Sequence, residues 1–385
     1  MSKLTTIDTE TLRAFKISCL ARGIEVDASA ERALTRGGSV PLTVHEYATT
    51  GGVTLSVGDR IYVNAPFDQA FGDDAEARLV FDGPSDEYRI QFRGEEFAAE
   101  ALPLPGYLRE LDELGRPVIQ TVFSHADRVR VSPIYGCSFT CTFCDIPGNK
   151  YVRRPLEQLL MAMKVAQADH VLPVAHALIS GGTPSRAHYA YFDQVCEGIV
   201  HSTSIPVDVM MPPREDASFV DRFSEFGVAG YAINLEVYDS AVARLVTPQK
   251  HRLGLDAFAR TISRAVERTG GSGRVRSLIL VGIEPEEKTL EAVEWLARLG
   301  CDPVLSPFRP TPGTPLADRP IPSFDFLERV LLRSEEIVER HGVKLGPRCI
   351  PCTNNSLTFP DSSGSYYFSN ESNWGRAEGD RGDTA

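Results

Sequence analysis

Between about residues 127 and 310 the chain alternates short apolar runs with amphipathic stretches. The apolar runs are Arg128–Ile134, Ala175–Ser180, Val207–Met211, Gly230–Val237, Val275–Gly282 and Pro303–Pro307. Each is short enough for a buried strand. The stretches between them carry apolar residues at helical spacing, over Pro155–Ala168, Ala187–Ser202, Ala217–Phe226, Leu255–Arg268 and Glu286–Leu299. Helix starts are well marked: Pro155 occupies a first-turn position, and Glu286 with Glu287 places acid at a helix N-terminus. Strand and helix repeating in this order predict an α/β fold around a parallel sheet.

The first 115 or so residues follow another pattern. Helical periodicity over Thr9–Ala21 and Ala28–Leu34 precedes the alternating segments Val40–Tyr47, Val53–Val63, Ala77–Phe81 and Tyr88–Phe92, separated by Gly-Gly, Gly-Asp, Asp-Gly and Pro-Ser breaks. The expected organisation is an α+β module over residues 1–115, with a linker through Leu102–Gly106 at its end. A barrel domain follows over 125–318, then a C-terminal helix (Phe324–His341) and cysteine segment over 319–368. The tail 369–385 is almost without apolar residues from Asn370 to Ala385 and is expected to be disordered. Two roles remain for the N-terminal module: a lid or partner-docking surface, or a stability element.

Composition removes several function classes. No apolar run is long enough for a transmembrane helix, and the N-terminal residues lack the basic-then-apolar layout of a signal peptide, so a cytoplasmic protein without a membrane partner is expected. A formal net charge of −12, with no basic cluster beyond isolated pairs such as Arg153-Arg154 and Arg274/Arg276, argues against a nucleic-acid groove. Eight cysteines in such a chain point to metal or catalysis rather than disulfides.

Three of them, Cys137, Cys141 and Cys144, lie in the run from Ile134 to Pro147 at spacings that let three thiolates wrap one corner of a cubane cluster. With no fourth cysteine in the loop, one iron of a [4Fe–4S] cluster stays open to a ligand. A structural zinc site is the competing reading, but it needs four ligands, and the nearest further cysteines are Cys196 and the distant Cys349 and Cys352. The CxxxCxxC loop resembles that of the radical S-adenosylmethionine (SAM) superfamily. In that family the aromatic residue before the last cysteine, here Phe143, lies against the adenine.

That resemblance implies a partial (β/α)6 TIM-like barrel, with functional groups at the C-terminal ends of the strands. Ser180-Gly-Gly-Thr-Pro-Ser185 resembles the glycine pair that holds the amino group of SAM, which assigns Gly181, Gly182 and Thr183 to the cofactor. The strand ending Ile233-Asn-Leu-Glu236 is similar to one in the biotin synthase, methylornithine synthase and hydrogenase-maturation group, implying SAM contacts from Asn234 and Glu236. The alternative for Glu236 is a buried ion pair with Arg244 or Arg252. Arg252 matches the arginine that clamps the SAM carboxylate in that group, with Lys250 and Arg244 as competitors. Gly282 matches a segment along the adenine, although Leu278 replaces its first glycine and the acid is displaced to Glu284 or Glu286. Arg309, after the sixth strand, either meets an anionic substrate or caps a helix.

Cys349 and Cys352, in Gly346-Pro-Arg-Cys-Ile-Pro-Cys-Thr-Asn-Asn355, fit no part of that pattern. They are candidates for catalysis as a redox pair or hydrogen donor, for a second metal or cluster completed by Cys301 or a second chain, or for two ordinary cysteines. Sulfur insertion is disfavoured, because the third to fifth strands carry no cysteine. The expected function is reductive cleavage of SAM at a [4Fe–4S] cluster to a 5′-deoxyadenosyl radical that takes hydrogen from a small-molecule substrate. A flavodoxin- or ferredoxin-type protein is the implied electron donor. The alternatives are radical methyl or aminocarboxypropyl transfer, and a non-catalytic iron–sulfur scaffold or redox module.

Overall fold

The computed structural model describes residues 7–36, 51–58, 61–67, 74–271 and 273–359. The expected segment Val40–Tyr47 and the tail 369–385 lie outside them.

Helix α1 (Thr9–Arg22) starts where the Asp8 carboxylate accepts from Thr11 N at 2.8 Å and ends at Gly23, whose φ of +73° an L side chain rarely adopts. Strand β1 (Glu25–Val26), α2 (Ala28–Arg36), β2 (Val53–Val57), β3 (Ile61–Ala65), β4 (Ala77–Asp82), β5 (Glu87–Phe92) and β6 (Glu95–Ala101) complete the N-terminal unit. Its sheet runs β1-β4-β5-β6-β2-β3, with β1 parallel to β4 and the other pairs antiparallel. Period-two alternation turns Ala77, Leu79, Ile90 and Phe92 inward, where Phe15 of α1 meets Phe92 and Phe97 edge-on at 5.7 and 5.4 Å. The expected single segment Val53–Val63 is two strands folded back at Gly58, because both halves keep the same alternation across a glycine turn. Strand β6, rich in glutamate and alanine, carries no β signal in sequence; it forms because β5 and β2 each offer it an edge.

The second unit begins with β7 (Val122–His125), antiparallel to β8 (Arg128–Val131). The chain continues through β9 (Ile134–Tyr135), β10 (Val152–Arg153), α3 (Leu156–Gln167), β11 (His176–Ile179), α4 (Tyr189–His201), β12 (Val207–Met210) and α5 (Phe219–Glu225). It then adds β13 (Gly230–Ala232), α6 (Ser240–Val246), α7 (Pro248–Leu253), α8 (Leu255–Thr269), β14 (Val275–Val281), α9 (Glu286–Arg298), β15 (Asp302–Pro307) and α10 (Phe324–Arg340). Strands β8, β11, β12, β13, β14 and β15 lie side by side and parallel in chain order, the six strands expected, with β7 as an unforeseen edge. The fold is therefore a mixed α/β partial barrel of the TIM type.

A partial barrel leaves a seam between its first and last strands. Here the segment after α10 bridges it: Leu357 N donates to Leu305 O of β15 at 2.8 Å, and Asn354 Nδ2 meets His125 Nδ1 of β7 at 2.6 Å. The N-terminal sheet covers the same seam. Thr54 Oγ1 lies 3.0 Å from His125 Nε2, and the carbonyl of Asn64 accepts from Arg309 Nη2 at 2.8 Å.

Beneath this junction Lys16 of α1 is fully buried, donating to Thr358 O at 2.6 Å and Thr353 Oγ1 at 3.2 Å. Burial lowers its ammonium from 10.5 to about 7. The folded state thus binds this proton less well than the unfolded chain. The resulting destabilisation is complete below pH 7 and disappears as pH rises towards 10.5. Stability should increase between those limits by up to ~1.4 kcal/mol per pH unit from this group. Urea unfolding of Lys16→Met beside the parent chain checks it: the variant should lose much of that upward slope, and equal slopes would refute the assignment.

Candidate active site

The strand ends carry the chemistry. Beyond β8 the chain leaves as a loop over residues 136–151, closed at its base by antiparallel pairing of β9 with β10 (Tyr135 opposite Val152). This loop carries Cys137, Cys141 and Cys144. Its far side is tied to the α6–α7 region, where Thr142 N donates to Val246 O at 2.9 Å and Thr140 N to Gln249 Oε1 at 3.1 Å. Its near side is tied to the turn after β11, where Ser138 N donates to Thr183 O at 3.1 Å.

Two glycines make that near contact. Gly181 has φ +109°. At Gly182 a Cβ would stand 1.5 Å from Gly136 O and 3.1 Å from Cys137 Cα, so the two backbones cross where no side chain fits. The crossing also delivers donors to sulfur: Cys137 Sγ accepts from Thr183 N at 3.2 Å and from Phe139 N at 3.3 Å. Burial pushes the Cys141 and Cys144 thiols up to about 12, with the Glu236 carboxylate adding to the effect at both. Without a cation these two stay protonated at neutral pH, and loading a metal here expels their protons.

The three cysteines face a cavity of about 380 Å³ that runs down the barrel interior. Phe143, Gly181, Gly182, Thr183, Asn234 and Glu236 line the same cavity, so the structure brings these residues together with the cysteines. Glu236 is unusual in two respects. Its φ is +70°, a strained value for a side-chain-bearing residue. Its Oε1 is 2.9 Å from Lys250 Nζ, while its buried Oε2 has no hydrogen-bond partner. The ion-pair partner is thus Lys250 rather than Arg244 or Arg252. Lys250 also donates to Asn234 O at 2.6 Å, and Asn234 Oδ1 accepts from Leu278 N at 3.2 Å.

Two expected cofactor residues stand elsewhere. Arg252 is exposed on α7 and does not line the cavity, whereas Lys250, two residues earlier, points into it. The helix phase decides this, since a two-residue step turns a side chain to the far face. Gly282 (φ +98°) lies against Pro322, whose Cγ would be 2.1 Å from an added Cβ, so packing of the segment beyond β15 accounts for that glycine. Of the acids after β14, Glu284 accepts through Oε2 from Tyr238 N and Asp239 N while its buried Oε1 has no partner, and Glu286 pairs with Arg329 and Arg333.

Arg309, expected to meet a substrate or cap a helix, lines the cavity, and three further arginines that carry no sequence-based role join it: Arg128 and Arg130 of β8 and Arg276 of β14. Arg276 is held by Asp208 of β12 at 2.6 Å, and Arg309 by Asn64 O and Asn355 Oδ1. The alternation Arg128-Val-Arg-Val131 in the first apolar run is the sequence signal for two of them, since period two puts both arginines on one strand face.

Thiols, glycine crossing and unpaired carboxylate fit a cluster with an aminoacyl ligand better than a lone ion. Among the described residues only one set of three or more His, Cys, Asp or Glu ligand atoms lies within 4.8 Å of one another, and it is at the barrel floor. The three loop thiols are not such a set, so their sulfurs do not all lie within 4.8 Å of one another.

Fold and site together define an α/β-barrel protein with a cysteine loop at the mouth of its ligand chamber. Residues 131–308 match the family model described as the radical SAM superfamily, and the chain carries a radical SAM domain. The cofactors of this superfamily are a [4Fe–4S] cluster and SAM. A radical SAM methyltransferase from Sphaerobacter thermophilus is among the similar solved structures, at 18% identity over 70% of this chain and 76% of that one, TM-score 0.46. Methylornithine synthase (PylB) is another, at 15% identity over 58% and 72%, TM-score 0.43. No curated protein sequence matches the chain. Among the described residues no helix is long and apolar enough to cross a membrane.

Proposed function

We propose that this chain is a radical SAM enzyme acting on a small anionic substrate held inside the barrel. The observation that carries the reading is one continuous cavity with the three cysteines at its mouth and Arg128, Arg130, Arg276 and Arg309 along its walls. Cys137, Cys141 and Cys144 would hold the cluster. Bound together, such a cluster and SAM supply a 5′-deoxyadenosyl radical that takes a hydrogen atom from an unactivated carbon.

The chain's own part is positioning. Glu236 Oε2 would accept from the amino group of SAM, and the turn at Gly181–Thr183 lines the same cavity. Lys250 is the cation closest to that carboxylate and takes the carboxylate-binding role expected of Arg252. Phe143, packed among Val237, Leu280, Ile283 and Phe308, offers an apolar wall to the adenine. The arginines would orient carboxylate or phosphate groups of the substrate, since guanidinium matches both in fork geometry. The segment after α10 and the N-terminal sheet close the seam and keep water from the chamber. A flavodoxin- or ferredoxin-type donor would deliver the electron.

The test is anaerobic reconstitution with iron and sulfide, then dithionite and SAM, with nucleoside products quantified by mass spectrometry. 5′-Deoxyadenosine is expected, rising when anionic metabolites are screened as substrates. S-adenosylhomocysteine or 5′-methylthioadenosine in its place would establish methyl or aminocarboxypropyl transfer. A fully loaded cluster with no nucleoside product under any substrate would leave a non-catalytic scaffold.

A further inference from the structure

Opposite the cysteine loop, at the N-terminal ends of the strands, four metal-ligating side chains from three distant segments converge. Asp127 lies in the turn between β7 and β8, and His176 opens β11. Cys349 and Cys352 belong to the segment that crosses the seam. Asp127, His176 and Cys349 are buried, and Cys352 is half-buried and lines the floor of the chamber. The expected partner Cys301 is not among them; Asp127 and His176 complete the set.

We propose that these four residues bind a single structural zinc ion. The distances are those of a tetrahedron's edges. Cys352 Sγ to His176 Nε2 is 3.4 Å, His176 Nε2 to Asp127 Oδ1 is 3.5 Å, and Asp127 Oδ1 lies 3.3 Å from Cys349 Sγ and 3.9 Å from Cys352 Sγ. A zinc ion at about 2.3 Å from sulfur and about 2.0–2.1 Å from nitrogen or oxygen sets S···N and S···O edges of roughly 3.5 Å and an N···O edge of roughly 3.3 Å. All four ligand atoms lie within 4.8 Å of one another, too close to span a cubane corner by corner.

The donor set selects the metal. Two thiolates with an imidazole suit zinc and exclude magnesium and calcium, which take oxygen. The two cysteines sit in a tight turn, Cys352 N donating to Cys349 O at 3.1 Å, the short spacing that zinc sites use for a ligand pair. Four protein ligands leave no open position, so the ion is a clasp and not a Lewis acid for substrate. Binding expels to solvent whatever protons the ligand atoms carry and involves no redox change. What it clasps is specific: the segment carrying the cysteines is the one that joins β15 to β7. The zinc ties that bridge to two strand origins and sets the floor of the chamber.

The experiment uses the full chain, purified anaerobically without chelator or added metal. Elemental analysis should give about one zinc per chain, and zinc-edge X-ray absorption should report two sulfur and two nitrogen or oxygen neighbours. Cys349→Ser with Cys352→Ser should lose that zinc while iron bound at the loop is unchanged. Should this variant fail to fold, the absorption spectrum of the unaltered chain decides alone. Three results would overturn the proposal: no zinc with both thiols titratable, a Cys349–Cys352 disulfide by intact mass, or about eight irons per reconstituted chain, which would mean a second cluster. None of these readouts depends on SAM cleavage, so the zinc site and the proposed activity stand or fall separately.

Discussion

Gly182→Ala is expected to empty the cysteine loop of iron while the barrel still folds. The added methyl would sit 1.5 Å from Gly136 O, with Cys137 Cα behind it at 3.1 Å. Both obstacles are backbone, so no rotamer change relieves them. Nor can the cysteine loop retreat at Gly136, because that residue is itself pinned: its φ is +73° and Asn149 O lies 2.7 Å from where its own Cβ would be. Separation by an ångström or more would remove the amide of Thr183 from Cys137 Sγ and disturb the spacing of the three thiols. Iron should fall from about four to below about one per reconstituted chain. SAM cleavage should fall by about 100-fold or more, the loss produced by misplacing a reacting group. The clash lies at the rim, outside the apolar core, so the circular dichroism spectrum should be retained. Full iron loading would show that the crossing gives way and that the glycine pair has another purpose.

Glu236→Gln is expected to weaken SAM binding about 10- to 100-fold, ~1.4–2.7 kcal/mol, with iron content unchanged. Gln keeps the shape and one acceptor, but loses the charge that meets Lys250 at 2.9 Å and that would meet an ammonium group. A purely structural ion pair makes a different prediction. Removing one partner would then strand the other charge, and removing both in Glu236→Gln/Lys250→Met would restore the parent's behaviour. The double variant should instead bind SAM no better than the single one, since both charges have partners in the ligand. Titration of SAM into the reconstituted proteins, followed by calorimetry, separates the two outcomes. The strained φ of +70° at Glu236 supports the functional reading, because strain of about 1–3 kcal/mol is seldom retained where a relaxed residue would serve.

Much of this was legible locally. The six parallel strands announced themselves as apolar runs because strands covered on both faces need apolar residues on both sides. The cysteine loop and glycine pair were legible because each is a short contiguous device whose spacing carries its geometry. Short or polar elements escaped: β7, β9, β10, α6 and α7 are formed by what they pair with or pack against, and β6 has the composition of a helix. Arg252 and Lys250 lie two residues apart on α7, and spacing alone does not resolve which face of so short a helix meets the cavity.

The chain order of residues determined the class of fold, the iron–sulfur loop and the two glycines, since contacts within a few residues follow from backbone geometry. Only the tertiary structure decided what lies at the two ends of the chamber. It joined Gly182 to Gly136, gave Glu236 the partner Lys250, and turned Arg128 and Arg130 into the cavity. It also brought Asp127 and His176 to Cys349 and Cys352 across more than 170 residues of sequence. Such meetings depend on how the strands are staggered and how the last segment crosses the seam. These are set by the summed packing of the whole core, and no local pattern encodes them.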